Sequence, residues 1–108
     1  CLKNLKISPE ITKKINFSFH DILEEKLPEK YDIISMQNVL LYYEEEGRKR
    51  ILSNATQSME EDGWLLCENV YWDSSQKWLW EYKNSMENLE EFGLIKQDMG
   101  KMQIYRKD

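Results

Sequence analysis

The sequence predicts an α/β fold: a largely parallel sheet with helices crossing between its strands and an antiparallel strand at the C-terminal end. Three observations carry this. Apolar runs of strand length at residues 31–36 and 64–70 flank a stretch, Glu44 to Glu60, whose apolar residues recur at helical spacing. A second amphipathic stretch occupies residues 75–92. The last segment, Leu94 to Arg106, reads as two strands joined around Met99-Gly100-Lys101. Strands that alternate with helices pair in parallel, because each crossover returns the chain to the same end of the sheet.

Each element has a local cause. Ser8-Pro9-Glu10 starts a short helix: the serine caps, the proline suits the first helical position and the acid favours the positive end of the helix dipole. Ile15, Phe17 and Phe19 then alternate with polar residues as in a strand, and Asp21 to Lys26 suits a helical turn or two before Pro28. Tyr31 to Met36 is nearly continuous in apolar content, which predicts a central strand covered on both faces. In the Glu44–Glu60 helix, Ile51, Leu52, Ala55 and Met59 form one stripe; Asp62-Gly63 is a turn signal before the strand at 64–70. The 75–92 helix turns Trp78, Leu79, Tyr82, Met86, Leu89 and Phe92 inward, and Gly93 takes the place of a C-terminal helix cap.

Composition narrows the function. The chain has 108 residues, 41% of them hydrophobic, 32% charged, and a net charge of -5. An acidic surface argues against a nucleic-acid or anionic-membrane partner, since phosphate binding needs clustered Lys and Arg. The one basic run, Arg48-Lys49-Arg50, follows Glu44-Glu45-Glu46 and suits a solvated helix face, with Glu46 and Arg50 four apart. Cys1 and Cys67 have neither disulfide-framework nor metal spacing, so no metal is expected; there is no apolar span, and the cytoplasm is the simplest compartment. A start at Cys1 rather than Met reads as a fragment of something longer.

In such sheets ligands bind beyond the carboxyl ends of the strands. That directs attention to His20-Asp21-Ile22, Gln37-Asn38-Val39 and Asn69 to Ser75.

Leu27-Pro28, then Tyr31-Asp32-Ile33-Ile34, then Gln37-Asn38-Val39-Leu40-Leu41-Tyr42-Tyr43 resembles the CheR-type methyltransferases, which methylate glutamates on bacterial chemotaxis receptors. Their pattern there is Leu-Pro, Tyr-Asp-Leu-Ile and Arg-Asn-Val-Leu-Ile-Tyr-Phe. Ile15-x-Phe17-Ser18 with Asp21-Ile22-Leu23, Arg50-Ile51-Leu52, Asp62-Gly63-Trp64-Leu65 and Ile104-Tyr105-Arg106-Lys107 extend the likeness in order along the chain. The resemblance implies a class I, Rossmann-like methyltransferase sheet of order 3-2-1-4-5-7-6. Residues 15–19, 31–36, 64–70 and the C-terminal hairpin would supply strands 4 to 7, a half-sheet 4-5-7-6 with flanking helices and a closing antiparallel strand. Residues 1–108 would be the C-terminal half of that domain. The N-terminal half, with its glycine-rich turn and ribose-binding acid, would be absent; the four glycines, at 47, 63, 93 and 100, form no such turn.

The resemblance also implies roles. Asn38 and Val39 would contact S-adenosylmethionine, an amide offering two donors and an acceptor; otherwise Asn38 is a turn residue satisfying its own backbone. Asp21 and Ile22 would border the adenine, unless Asp21 is simply a helix cap. Tyr42 would be the catalytic-site tyrosine facing the substrate, or an amphipathic packing residue. Gln37 departs from the family arginine and removes a carboxylate-binding cation. His20 suits a rim or packed position, and Trp72 a loop at a strand end.

The implied activity is methyl transfer from S-adenosylmethionine, in the intact parent, to a protein glutamate. The alternatives are a small-molecule acceptor or a non-catalytic half-domain serving as an interaction module. The 108-residue chain alone is expected to be inactive and to bind the cofactor weakly or not at all. With strand 1 absent, the segment Lys14 to Phe19 would present a free strand 4 edge, through which the chain would self-associate or take a partner chain.

Overall fold

The computed structural model describes residues 8–69, 77–100 and 102–108. Its elements are α1 (Pro9–Thr12), β1 (Tyr31–Ser35), a 3-10 turn at Leu40–Tyr42, α2 (Glu45–Gln57), β2 (Met59–Asn69), α3 (Lys77–Ser85), a second 3-10 turn at Glu90–Phe92, β3 (Leu94–Gln97) and β4 (Met102–Lys107). The four strands form one sheet of order β1-β2-β4-β3. β1 and β2 run parallel with α2 between them in sequence, and β4 is antiparallel to both β2 and β3.

The predicted 4-5-7-6 half-sheet is therefore present, with each strand one place earlier than the sequence suggested. Residues 31–35 occupy the place of strand 4, because they pair with 59–69; that strand, next to β4, is strand 5. β3 and β4 are strands 6 and 7. Residues 15–20 form no strand. In the family order the strand preceding strand 4 is strand 3, whose sheet neighbour is strand 2, and among the described residues no strand pairs with the outer side of β1. The free edge thus belongs to β1 and not to Lys14–Phe19.

Three other expectations change. β1 is not a covered central strand: Ile33 is 61% exposed at the sheet margin. Asp62-Gly63 does not precede β2 but lies inside it. Asp62 adopts a φ of 63°, and the pairing slips between Tyr31 and Ile33, so the turn signal makes a bulge. The 75–92 helix ends at Ser85 and resumes as the Glu90–Phe92 turn, where Gly93 closes it at a φ of 73°.

One face of the sheet carries the core. Ile51, Leu52 and Ala55 of α2 pack with Met59, Leu65 and Cys67 of β2, against Tyr82, Met86 and Leu89 on the α3 side. Tyr105 is buried in their midst, and its hydroxyl donates to the Met86 carbonyl at 2.6 Å. The C-terminal end of α2 is closed by side chains. Lys107 Nζ donates to the carbonyls of Thr56 and Met59 at 2.9 and 2.8 Å, and the Ser58 hydroxyl donates to the Asn54 carbonyl at 2.8 Å. Ser58 Oγ also accepts from the Leu27 N–H at 2.8 Å, which fastens the loop before β1. Ser58→Ala is expected to cost about 1–3 kcal/mol, because it leaves these groups unpaired in a buried place. The measurement is urea denaturation with an unchanged slope.

Candidate functional site

The site begins where β1 stops. Met36 is buried and its N–H bonds the Leu66 carbonyl at 2.8 Å, so the chain leaves the sheet at Gln37. Asn38 turns it through the left-handed region at a φ of 56°, a conformation that asparagine tolerates better than most residues. Val39 then packs on the core and Leu40 is wholly buried, pinning the 3-10 turn on whose outer side Tyr42 stands 76% exposed. Among the described residues the exposed Asn38 amide makes no hydrogen bond.

Tyr43 is fixed from two sides. A Cβ on Gly47 would meet the Tyr43 ring at 3.1 Å, so the missing side chain lets the ring lie on α2. Arg48 Nη1 donates to the Tyr43 carbonyl at 2.7 Å, and its guanidinium sits 5.5 Å from the centre of the Tyr82 ring. Arg48 thereby ties the turn, α2 and α3 together.

These contacts shape an open groove of about 630 Å³ between the turn and α3, with Tyr42, Tyr43 and Arg48 on one side and Trp78, Glu81 and Tyr82 on the other. Glu44 and Glu45 border it at the start of α2. Trp78, expected in the core, is 51% exposed. It has the right helical phase for the Tyr82 stripe, but α3's first turn faces the groove.

The other predicted residues lie elsewhere. The Asp21 carboxylate accepts from the Leu23 N–H at 3.1 Å, so it caps the turn that follows. The Ile22 carbonyl accepts from Asn54 Nδ2 at 2.7 Å. Asn54 is in the last turn of α2, on the order of 13 Å along the axis from its first residue at about 1.5 Å per residue. Asp21 and Ile22 are thus held at the end of α2 away from Asn38, Val39 and Tyr42, and the structure does not gather the five into one pocket. His20 Nε2 contacts the Glu25 carbonyl at 2.9 Å, a local rim position. Gln37 is exposed beside Asn38, and Trp72 falls outside the described residues. Arg50 pairs with Glu24 at 3.3 Å rather than with Glu46. Among the described residues no cluster of His, Cys, Asp or Glu suits a metal, and no helix is long and apolar enough to cross a membrane.

The groove residues Arg48, Trp78 and Glu81 were not singled out from the sequence as site residues. Arg48 alone left a signal there: it stands three before Ile51 and four before Leu52, a cation on the apolar stripe.

The family model of the CheR methyltransferase SAM binding domain matches residues 2–70. The chain belongs to this family. A chemotaxis protein methyltransferase of Listeria innocua is 33% identical over 60 residues, which are 56% of this chain and 23% of that relative. Two solved structures share the fold. The pyocyanin biosynthetic protein PhzM aligns with a TM-score of 0.60 and 17% identity, over 82% of this chain and 34% of that one. The mitomycin 7-O-methyltransferase MmcR aligns with a TM-score of 0.58 and 19% identity, over 81% and 32%. The chain spans about a quarter of the length of the Listeria relative and about a third of each solved structure. The family match includes all five residues proposed from the resemblance, and it ends at the carboxyl end of β2.

Proposed function

We propose that the chain is the C-terminal part of an S-adenosylmethionine-dependent methyltransferase of the chemotaxis type, acting in the cytoplasm on a side-chain carboxylate of a protein. The observation that carries this reading is the family match over residues 2–70, which covers Gln37 to Tyr43. That segment holds the strand end and the turn beside the groove, where ligands of such sheets bind.

S-adenosylmethionine, when bound, supplies an activated methyl group on a sulfonium centre. Of the residues here, Asn38 and Val39 fit its edge best: an exposed amide whose donors and acceptor find no partner among the described residues, beside an apolar residue. Asp21 and Ile22 would join them only if the first part of the domain drew residues 15–24 into a strand. Tyr42, raised on its turn above the groove, is placed to orient the acceptor. A carboxylate acceptor is already ionised, so positioning and water exclusion are what these residues have to provide.

The glycine turn and ribose acid of the family lie outside this sequence. The isolated chain is therefore expected to bind S-adenosylmethionine far more weakly than micromolar, and isothermal titration checks this. A chimera that supplies strands 1 and 2 from the Listeria innocua relative is expected to bind the cofactor and to transfer labelled methyl to receptor glutamates. A chimera that folds and binds cofactor but methylates no protein carboxylate would overturn the reading.

In that chimera Asn38→Gly is the informative change, since glycine accepts the φ of 56° at no steric cost. Loss of the amide is expected to weaken cofactor binding by about 1–3 kcal/mol with little change in folding stability. Unchanged affinity in the titration would remove Asn38 from the site.

A further inference from the structure

The groove beside Tyr42 has a charge pattern that methyl transfer to a carboxylate does not use. Glu44, Glu45 and Glu81 border it, and among the described residues Arg48 is the one cation lining it. Arg48 is already engaged by the Tyr43 carbonyl and the Tyr82 ring, so it is a poor counter-ion for an incoming anion. Glu45 and Glu81 face Lys49 and Lys77 at 3.6 and 3.7 Å, but these are i,i+4 pairs between exposed side chains, and neither lysine lines the groove. Such pairs are weak and readily exchanged. Among the described residues no ion pair involves Glu44.

Two aromatic rings, Tyr42 and Trp78, are largely exposed to the same space. Aromatic faces attract cations, most strongly on tryptophan. The chain already makes this interaction once, with the Arg48 guanidinium over Tyr82. An anionic segment would meet three carboxylates in the groove, and an apolar one would strip them of water without compensation. A segment carrying lysine or arginine satisfies both the rings and the acids.

The geometry points to this groove as the docking surface for a cationic segment, with a Lys or Arg side chain laid against Tyr42 and Trp78 and held by Glu44 and Glu81. That the segment belongs to the methyl acceptor, lying beside the methylated residue, rests on the function proposed above; the docking does not.

The test is fluorescence anisotropy of a short labelled peptide alternating Lys and Gly, with its Glu-Gly counterpart, titrated with the chain. Saturable binding of the lysine peptide alone is expected. Trp78→Ala, and separately the Glu44→Gln/Glu81→Gln pair, should each weaken it about tenfold. Glu60→Gln/Glu61→Gln, exposed acids on the β2 bulge and not part of the groove, should leave it unchanged. No binding, equal binding of the Glu-Gly peptide, an equal loss with the Glu60/Glu61 pair, or indifference to Trp78→Ala would each overturn the proposal. If Trp78→Ala fails to fold by circular dichroism, the Glu44/Glu81 pair decides. The two readings fail separately: peptide binding without methyl transfer by the chimera sinks the function and keeps the groove, and transfer without peptide binding does the reverse.

Discussion

Replacing Tyr105 with alanine is expected to cost about 3–5 kcal/mol of folding stability, the range for removing a buried aromatic side chain. Tyr105 is fully buried where the core of the sheet meets the segment after α3. Its backbone is paired in register with Leu65 on β2 and with Lys96 on β3, so the residue stands in the middle of the sheet. Against a total of about 5–15 kcal/mol for a small domain, the loss leaves much of the chain unfolded in mild urea. Tyr105→Phe separates the two contributions. It keeps the ring and leaves the Met86 carbonyl without its 2.6 Å donor, for an expected cost of about 1–3 kcal/mol. Equal losses in the two variants would show that the hydroxyl, and not the packing, dominates.

Gly63→Ala is expected to loosen β1 from β2. A Cβ there would lie 2.8 Å from the Glu60 carbonyl oxygen and 3.1 Å from that of Asp32, both backbone atoms that cannot swing aside. The cost is about 1–3 kcal/mol, the usual penalty for overpacking, and it falls on the pairing of Tyr31 and Ile33 with Met59 and Trp64 of β2 rather than on the α2–α3 core. Amide exchange at residues 31–36 should accelerate while that of β4 stays slow. The turn bearing Asn38 and Tyr42 hangs from the end of β1, so groove binding should weaken with it. Uniform acceleration across all four strands would mean that β1 and the core open together.

Much of this arrangement was legible in the residues. The Ile51, Leu52 and Ala55 stripe of α2 is wholly or nearly buried, and Gly93 has the left-handed φ that a closing glycine takes; Met59, read on the same helical stripe, is buried as well but as the first residue of β2, because α2 stops at Gln57. These follow from local periodicity and local sterics, which a sequence displays. The parallel pairing of β1 and β2 follows from the crossover helix. What failed was whatever depended on a neighbour. Ile15, Phe17 and Phe19 alternate as a strand, but alternation gives only the face, and a strand needs a pairing partner. Tyr31 to Met36 carries the apolar run of a covered strand, yet among the described residues only one edge and one face find company. Asp62-Gly63 signals a reversal, and in a strand paired on both sides the same φ of 63° becomes a bulge. The candidate site divides in the same way. Asn38 and Tyr42 come from one contiguous motif and are near one another. Arg48, Trp78 and Glu81 join Tyr42 at the groove through packing between separate elements, which no short stretch encodes.

The margin of β1, unpaired among the described residues, would make stability a property of the mixture as well as of the molecule wherever another chain paired with it. A polypeptide that pairs along Tyr31–Ser35 recognises backbone groups that exist in that array only when the chain is folded. Its binding free energy is therefore added to that of folding, by about 2.7 kcal/mol at a hundredfold excess over its dissociation constant. With such a complement present, the melting temperature has no single value; it climbs with the logarithm of the complement's concentration. Dilution reverses the gain without altering a covalent bond.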